Sequence, residues 1–158
     1  MDGNELPECF AEQKIIRLSF ENRQTMNNYL LALGWWNFAG SLMMIGFFHP
    51  PFGKKMLNDW TKIFSTEFSL DYWGKFWLAW AIGLNIFFGL VNILSVSWGY
   101  AEVQKFLVWA DLSAYSLFVV LAFWGIRAGR CGSGIYSALL IFAGWIGWGI
   151  YTLITGSV

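Results

Sequence analysis

A single histidine and two cysteines exclude the commonest metal chemistries at the outset. His49 alone cannot build a multi-histidine metal site or a bis-histidine haem, and Cys9 and Cys131 do not form a C-x-x-C pair. Charge is scarce too: Asp, Glu, Lys and Arg make up 13% of the 158 residues, about half the share in an ordinary soluble domain. The formal net charge is zero and like charges do not cluster, which argues against a nucleic-acid surface or a solvated tail. No G-x-S-x-G elbow, Walker-type loop or G-x-G-x-x-G turn is present. Paired carboxylates for acid–base hydrolysis are missing as well, because Asp111 is the only acid inside an apolar segment. The chain is therefore expected to be non-catalytic, with neither a metal nor a cofactor.

What is there belongs to a membrane. Hydrophobic residues make up 57% and aromatic residues 20% of the chain, with eleven Trp and seventeen Gly. Indole rings favour the headgroup region, and glycine lets helices approach closely in lipid. Four apolar segments, 29–48, 76–98, 106–126 and 134–154, have the roughly 20 residues a helix needs to cross a bilayer core. Residues 1–28 are polar, with Asp2, Glu5, Glu8, Glu12 and Glu21 against Lys14, Arg17 and Arg23, unlike a cleavable signal peptide. The first span is expected to act as an uncleaved anchor. Ile16, Leu18 and Phe20 alternate like a strand while Ile15 breaks the pattern, which leaves that segment's conformation open.

Four spans place both termini on one face, and Cys9 and Cys131 on opposite faces. Lys14, Arg17, Arg23 and Lys105 lie on the terminal side, against Lys54, Lys55, Lys62, Lys75, Arg127 and Arg130 on the other. The excess of basic residues on the second side favours it as cytoplasmic and the termini as non-cytoplasmic. Between the first two spans, residues 54–68 set Met56, Leu57, Trp60, Ile63, Phe64 and Phe68 on one helical arc, opposite Lys54, Lys55, Asn58, Asp59 and Lys62. After the Pro50-Pro51 turn, this reads as an amphipathic helix in the interface, aromatic face down and lysines toward headgroups. His49, just before that turn, reads as a boundary residue that caps the helix or meets headgroups.

Asp111 sits within the first two turns of the third span, where an acid needs hydrogen-bond donors and a place facing the bundle. Antiparallel packing brings Asn92 to the same depth, with Asn37, Tyr115, Trp148 and Tyr151 completing an intramembrane polar layer. Asn85, Gly89 and Asn92 at i, i+4 and i+7 mark the inward face of the second span. Ala143 and Gly147 form a small-xxx-small pair in the fourth.

The expected fold is an all-α membrane protein, a four-helix transmembrane bundle with an interfacial amphipathic helix between spans one and two. The leading functional expectation is a non-catalytic integral subunit or assembly protein of a larger membrane complex, with membrane lipids and other subunits or further copies as partners. One alternative is a small protein that binds or transports a lipid, sterol or pigment in the bundle, read by Asp111, Asn92 and Asn37. Another is an oligomeric ion or proton conductor that uses Asp111.

Overall fold

Prolines bracket the first helix. In the computed structural model, which describes residues 6–64 and 71–156 (side chains for 23–49, 52–61, 71, 72 and 74–156), α1 runs unbroken over Leu6–Ile45. Pro7 falls in its first turn, where a missing N–H costs nothing. At the far end a 3-10 turn, Gly46–Phe48, gives way to extended backbone at His49 (φ −83°, ψ 118°), the conformation a following proline imposes. The segment whose alternation left strand or helix open is thus helical, and α1 passes through residue 28 without interruption.

Four helices are long and apolar enough to cross a membrane: Arg23–Phe48, Gly74–Trp98, Ala101–Arg127 and Gly134–Thr155. The chain is a multi-pass, all-helical bundle, and no strand occurs among the described residues. Three of the spans begin earlier than expected, because helix is set by the backbone and by caps rather than by where hydropathy rises. Helix α3 covers Tyr72–Trp98, α4 Ala101–Arg127 and α5 Gly134–Thr155.

Helix α2, Pro50–Phe64, starts four residues before the expected amphipathic segment, with both prolines in its first turn. Two glycines let it fold back on the end of α1. A Cβ on Gly46 would lie 2.8 Å from the Phe52 ring, and one on Gly53 would collide with the Phe47 carbonyl. Phe47 and Trp60 meet edge to face at 5.4 Å, and α2 also reaches α5. Met56 is half-buried, and Lys54 and Lys55 are exposed. The Ile63 and Phe64 side chains and residues 65–68 lie outside the described residues.

Caps fix the remaining turns. Gly129 (φ 67°) donates to the Ile126 carbonyl and Arg130 to that of Gly125, a Schellman end to α4. Gly99 (φ 68°) ends α3 in the left-handed region that glycine enters freely. Asp71 caps α3 by accepting from the Gly74 N–H at 2.7 Å. Asp71→Ala is expected to weaken that first turn by about 1 kcal/mol. Amide exchange at Gly74 and Lys75 should then be roughly fivefold faster, with the rest of α3 unchanged.

The core is not spread evenly. Met26, Tyr29, Leu30 and Leu33 of α1 pack with Leu107, Val108 and Leu112 of α4. Val91 and Val96 of α3 and Trp145, Ile146 and Leu153 of α5 close around them. All of these lie in the half of the bundle nearest Arg23 and the α3–α4 turn, where the Arg23 guanidinium donates to the Gly99 carbonyl. Helix α1 packs most extensively against α3, and α4 against α5. In the other half the two pairs leave a cleft between them.

Candidate functional site

The polar side chains of the spans form a ladder that descends from the Arg23 end. On the first rung Gln104, almost fully buried, donates to Asn27 Oδ1 at 3.0 Å and to the Ser95 carbonyl at 3.1 Å. One to two turns deeper Asn92 Nδ2 donates to Asp111 Oδ2 at 3.0 Å; Asn92 is 0% and Asp111 5% exposed. Ser95 Oγ holds the Asn92 carbonyl at 2.7 Å. About 6 Å further on, one turn along α4, the Tyr115 hydroxyl donates to Asn37 Oδ1 at 3.0 Å, and Ser41 Oγ donates to the Asn37 carbonyl at 2.8 Å.

Helix geometry explains the order. Tyr29, Leu33, Asn37 and Ser41 recur every four residues on α1 and all four are buried, so one stripe faces the bundle over residues 29–41. Asn85, Gly89 and Asn92 do the same on α3, with Gly89 and Asn92 buried and Asn85 half-buried. Asn85 Nδ2 turns back to the Ala81 carbonyl of its own helix. Gly89 lies against α1: a Cβ there would be 2.9 Å from the Gly34 carbonyl oxygen, and one on Gly34 would be 2.9 Å from that of Gly89.

Helix α5 departs from expectation. Tyr151 is 58% exposed and lies outside the polar layer, and Trp148 reaches the layer only through its ring. That ring stacks on Trp145 (5.6 Å, 10°) and meets Tyr29 edge to face at 5.7 Å. Ala143 and Gly147 face outward, and a Cβ on Gly147 would find nothing within 4 Å. The close approach inside the chain belongs to Gly149, whose added Cβ would be 2.8 Å from Leu112 and 3.0 Å from the Tyr29 hydroxyl. With a turn of 3.6 residues, Gly147 and Tyr151 share one face while Trp145, Gly149 and Thr152 share the opposite one.

Sequence reasoning missed Tyr29, Gly34, Gln104 and Gly149. The four-residue recurrence on α1 could have found Tyr29. Nothing local distinguishes Gly149 from Gly144 or Gly147, which only the neighbouring helix selects.

Chemically, the ladder is a hydrogen-bond system. Among the described residues the Asp111 carboxylate has one hydrogen-bond partner, the Asn92 amide, and no ion pair. Three buried oxygens, Tyr29 Oη, Asn92 Oδ1 and Thr152 Oγ1, have no partner there. His49 is exposed at the opposite end of the bundle and Cys131 is a free thiol in the α4–α5 turn. The Cys9 side chain lies outside the described residues.

The ladder's deepest rung forms one wall of the cleft between the helix pairs, which encloses about 340 Å³. Asn37 is fourteen residues from Arg23 and eleven from Phe48, about 21 and 16 Å along the helix, so the cleft opens near mid-span. Trp36, Phe118 and Phe142 supply aromatic walls, and Asn37, Asn85 and Tyr115 supply polar ones. Comparison of the chain with protein-family models, curated proteins and solved structures gives no match.

Proposed function

We propose that this chain is a non-catalytic integral subunit or assembly protein of a larger membrane complex, docked through the outer faces of α5 and α1. The observation that carries the reading is the outer face of α5. Only 11% of its spanning window is buried inside the chain. That face runs Tyr136, Leu140, Ala143, Gly147, Tyr151, with aromatic residues toward both ends and small residues at the middle. Hydrocarbon chains have no need of small side chains, whereas a neighbouring helix does, because they let its backbone approach. On α1, Trp35 and Trp36 are 59% and 45% exposed at mid-span, away from the headgroup depth that indole N–H groups favour. A protein neighbour can supply the acceptor those N–H groups lack in lipid.

In this reading α2 lies along the membrane surface on the side opposite the termini. Lys54 and Lys55 face headgroups, and the majority of basic residues mark that side as cytoplasmic.

Native purification in mild detergent, with mass spectrometry of everything that co-migrates, tests the proposal. Stoichiometric membrane subunits are expected, with roughly tenfold less recovered from Gly147→Leu, equivalent to about 1.4 kcal/mol of lost affinity. Because Gly147 has open space around it, the variant's own unfolding should match the parent's. A chain that migrates alone, or only with copies of itself, would overturn the reading.

A further inference from the structure

The mid-span cleft carries an inference of its own, independent of whether the chain is a subunit. Asn37 is 8% exposed and its side-chain Oδ1 accepts from the Tyr115 hydroxyl, which leaves Nδ2 without a partner among the described residues. Asn85 spends Nδ2 on its own helix and leaves Oδ1 in the same position. Both residues line the cleft, one from α1 and one from α3. At the centre of a bilayer water does not satisfy such groups, and an unpaired one carries a penalty of several kcal/mol.

A hydroxyl is the smallest group able to answer both atoms, accepting from the Asn37 amide and donating to the Asn85 carbonyl. The remaining walls favour a ring over an acyl chain. Phe118 and Phe142 pack at 4.2 Å, Tyr115 joins them at 5.0 Å from Phe142, and Trp36 stands at the opposite wall. A volume of about 340 Å³ is at the small end for ligand sites, enough for a ring and the start of a tail. Ala114 of α4, at the margin away from the α1 and α5 outer faces, is exposed, so a tail can leave sideways into lipid there.

We propose that the cleft binds a lipophilic hydroxy-aromatic compound, a prenylated phenol or quinol, with its ring hydroxyl held by Asn37 and Asn85. A quinone carbonyl answers Asn37 Nδ2 but offers no proton to Asn85 Oδ1, so the reduced form should be preferred about fivefold, the equivalent of one ordinary hydrogen bond.

The test uses the full chain in nanodiscs, equilibrated with decylubiquinol under reducing, anaerobic conditions or with decylubiquinone, and retained probe is measured against empty nanodiscs. Saturable retention near one per chain is expected. It should fall at least tenfold in Gly40→Leu and in Ala114→Phe, which fill the cleft from opposite walls. An added Cβ on Gly40 meets nothing within 4 Å and Ala114 is exposed, so both variants should unfold like the parent; if one does not, the other decides. Asn85→Leu should abolish the preference for quinol while keeping weaker binding. No retention above empty nanodiscs, or retention that survives both filling variants, overturns the site. Equal binding of quinone and quinol overturns the hydroxyl assignment. Because the readout is probe rather than co-purifying protein, failure here is distinct from failure of the subunit proposal.

Discussion

Gly34→Leu should destabilise the bundle by about 3 kcal/mol, the upper part of the range for overpacked sites. The penalty arises because what the new side chain meets is mostly backbone. A Cβ on Gly34 would lie 2.7 Å from Ile93 Cγ1, which can rotate, but also 2.9 Å from the Gly89 carbonyl oxygen and 3.3 Å from the Ile93 nitrogen, which cannot. Gly89 is bound reciprocally, with the Gly34 oxygen at 2.9 Å and the Phe38 nitrogen at 3.3 Å. Two glycines facing each other set the distance between α1 and α3, the most extensive helix pair in the chain. A leucine between them must push the helices apart over several turns and loosen packing well beyond the site. Reversible unfolding in mixed micelles measures the loss. Gly144→Leu is the control, since its Cβ meets nothing within 4 Å and the effect should stay within about 0.5 kcal/mol. Equal losses in the two variants would refute the close-approach account.

That contrast also marks what could be read from the sequence. The four spans were legible because length and hydropathy are sufficient to specify a helix in lipid, where every backbone group must be satisfied within the segment. The inward stripe of α3 was legible because Asn85 and Asn92 are amides in an apolar helix, and polar groups in a membrane turn toward protein. Helix α5 carries no such marker. Its glycines 144, 147 and 149 are alike in hydropathy, and both lipid and protein accept them, so the choice of Gly149 as the buried one depends on Leu112 and Tyr29 arriving from other helices. The same reason hid the true position of Tyr151, whose amphipathic ring suits a bundle interior and a membrane interface equally. Helix α2 was legible as a helix but not in its start, because a Pro-Pro pair ends one helix as readily as it begins the next. The cleft was not legible at all: it results from the uneven distribution of core residues between the two halves of the bundle, which no local pattern records.

Asp111→Ala should destabilise by about 2 kcal/mol, and Asp111→Asn by less than about 0.5 kcal/mol. The alanine variant removes the acceptor of the Asn92 amide at a position where Asn92 is fully buried and its Oδ1 already lacks a partner, so both ends of that side chain would be left unsatisfied. An asparagine keeps an acceptor at the same place. Interhelical bonds in membranes have averaged only about 0.6 kcal/mol, with a maximum near 1.7, so a double-mutant cycle with Asn92→Ala should give a coupling of about 1 kcal/mol. That coupling includes the relief of the stranded amide, which Asn92→Ala removes in the double variant, and the rest of the alanine penalty is lost packing around Asp111 that persists there. Additive losses would mean that the 3.0 Å contact contributes nothing and that Asp111 is kept for another reason. Proton flux into liposomes separates the two cases. Flux carried by the parent and abolished by Asp111→Asn, with unfolding unchanged, would make the carboxylate a proton carrier. If neither protein conducts, Asp111 is the acceptor that ties α4 to α3.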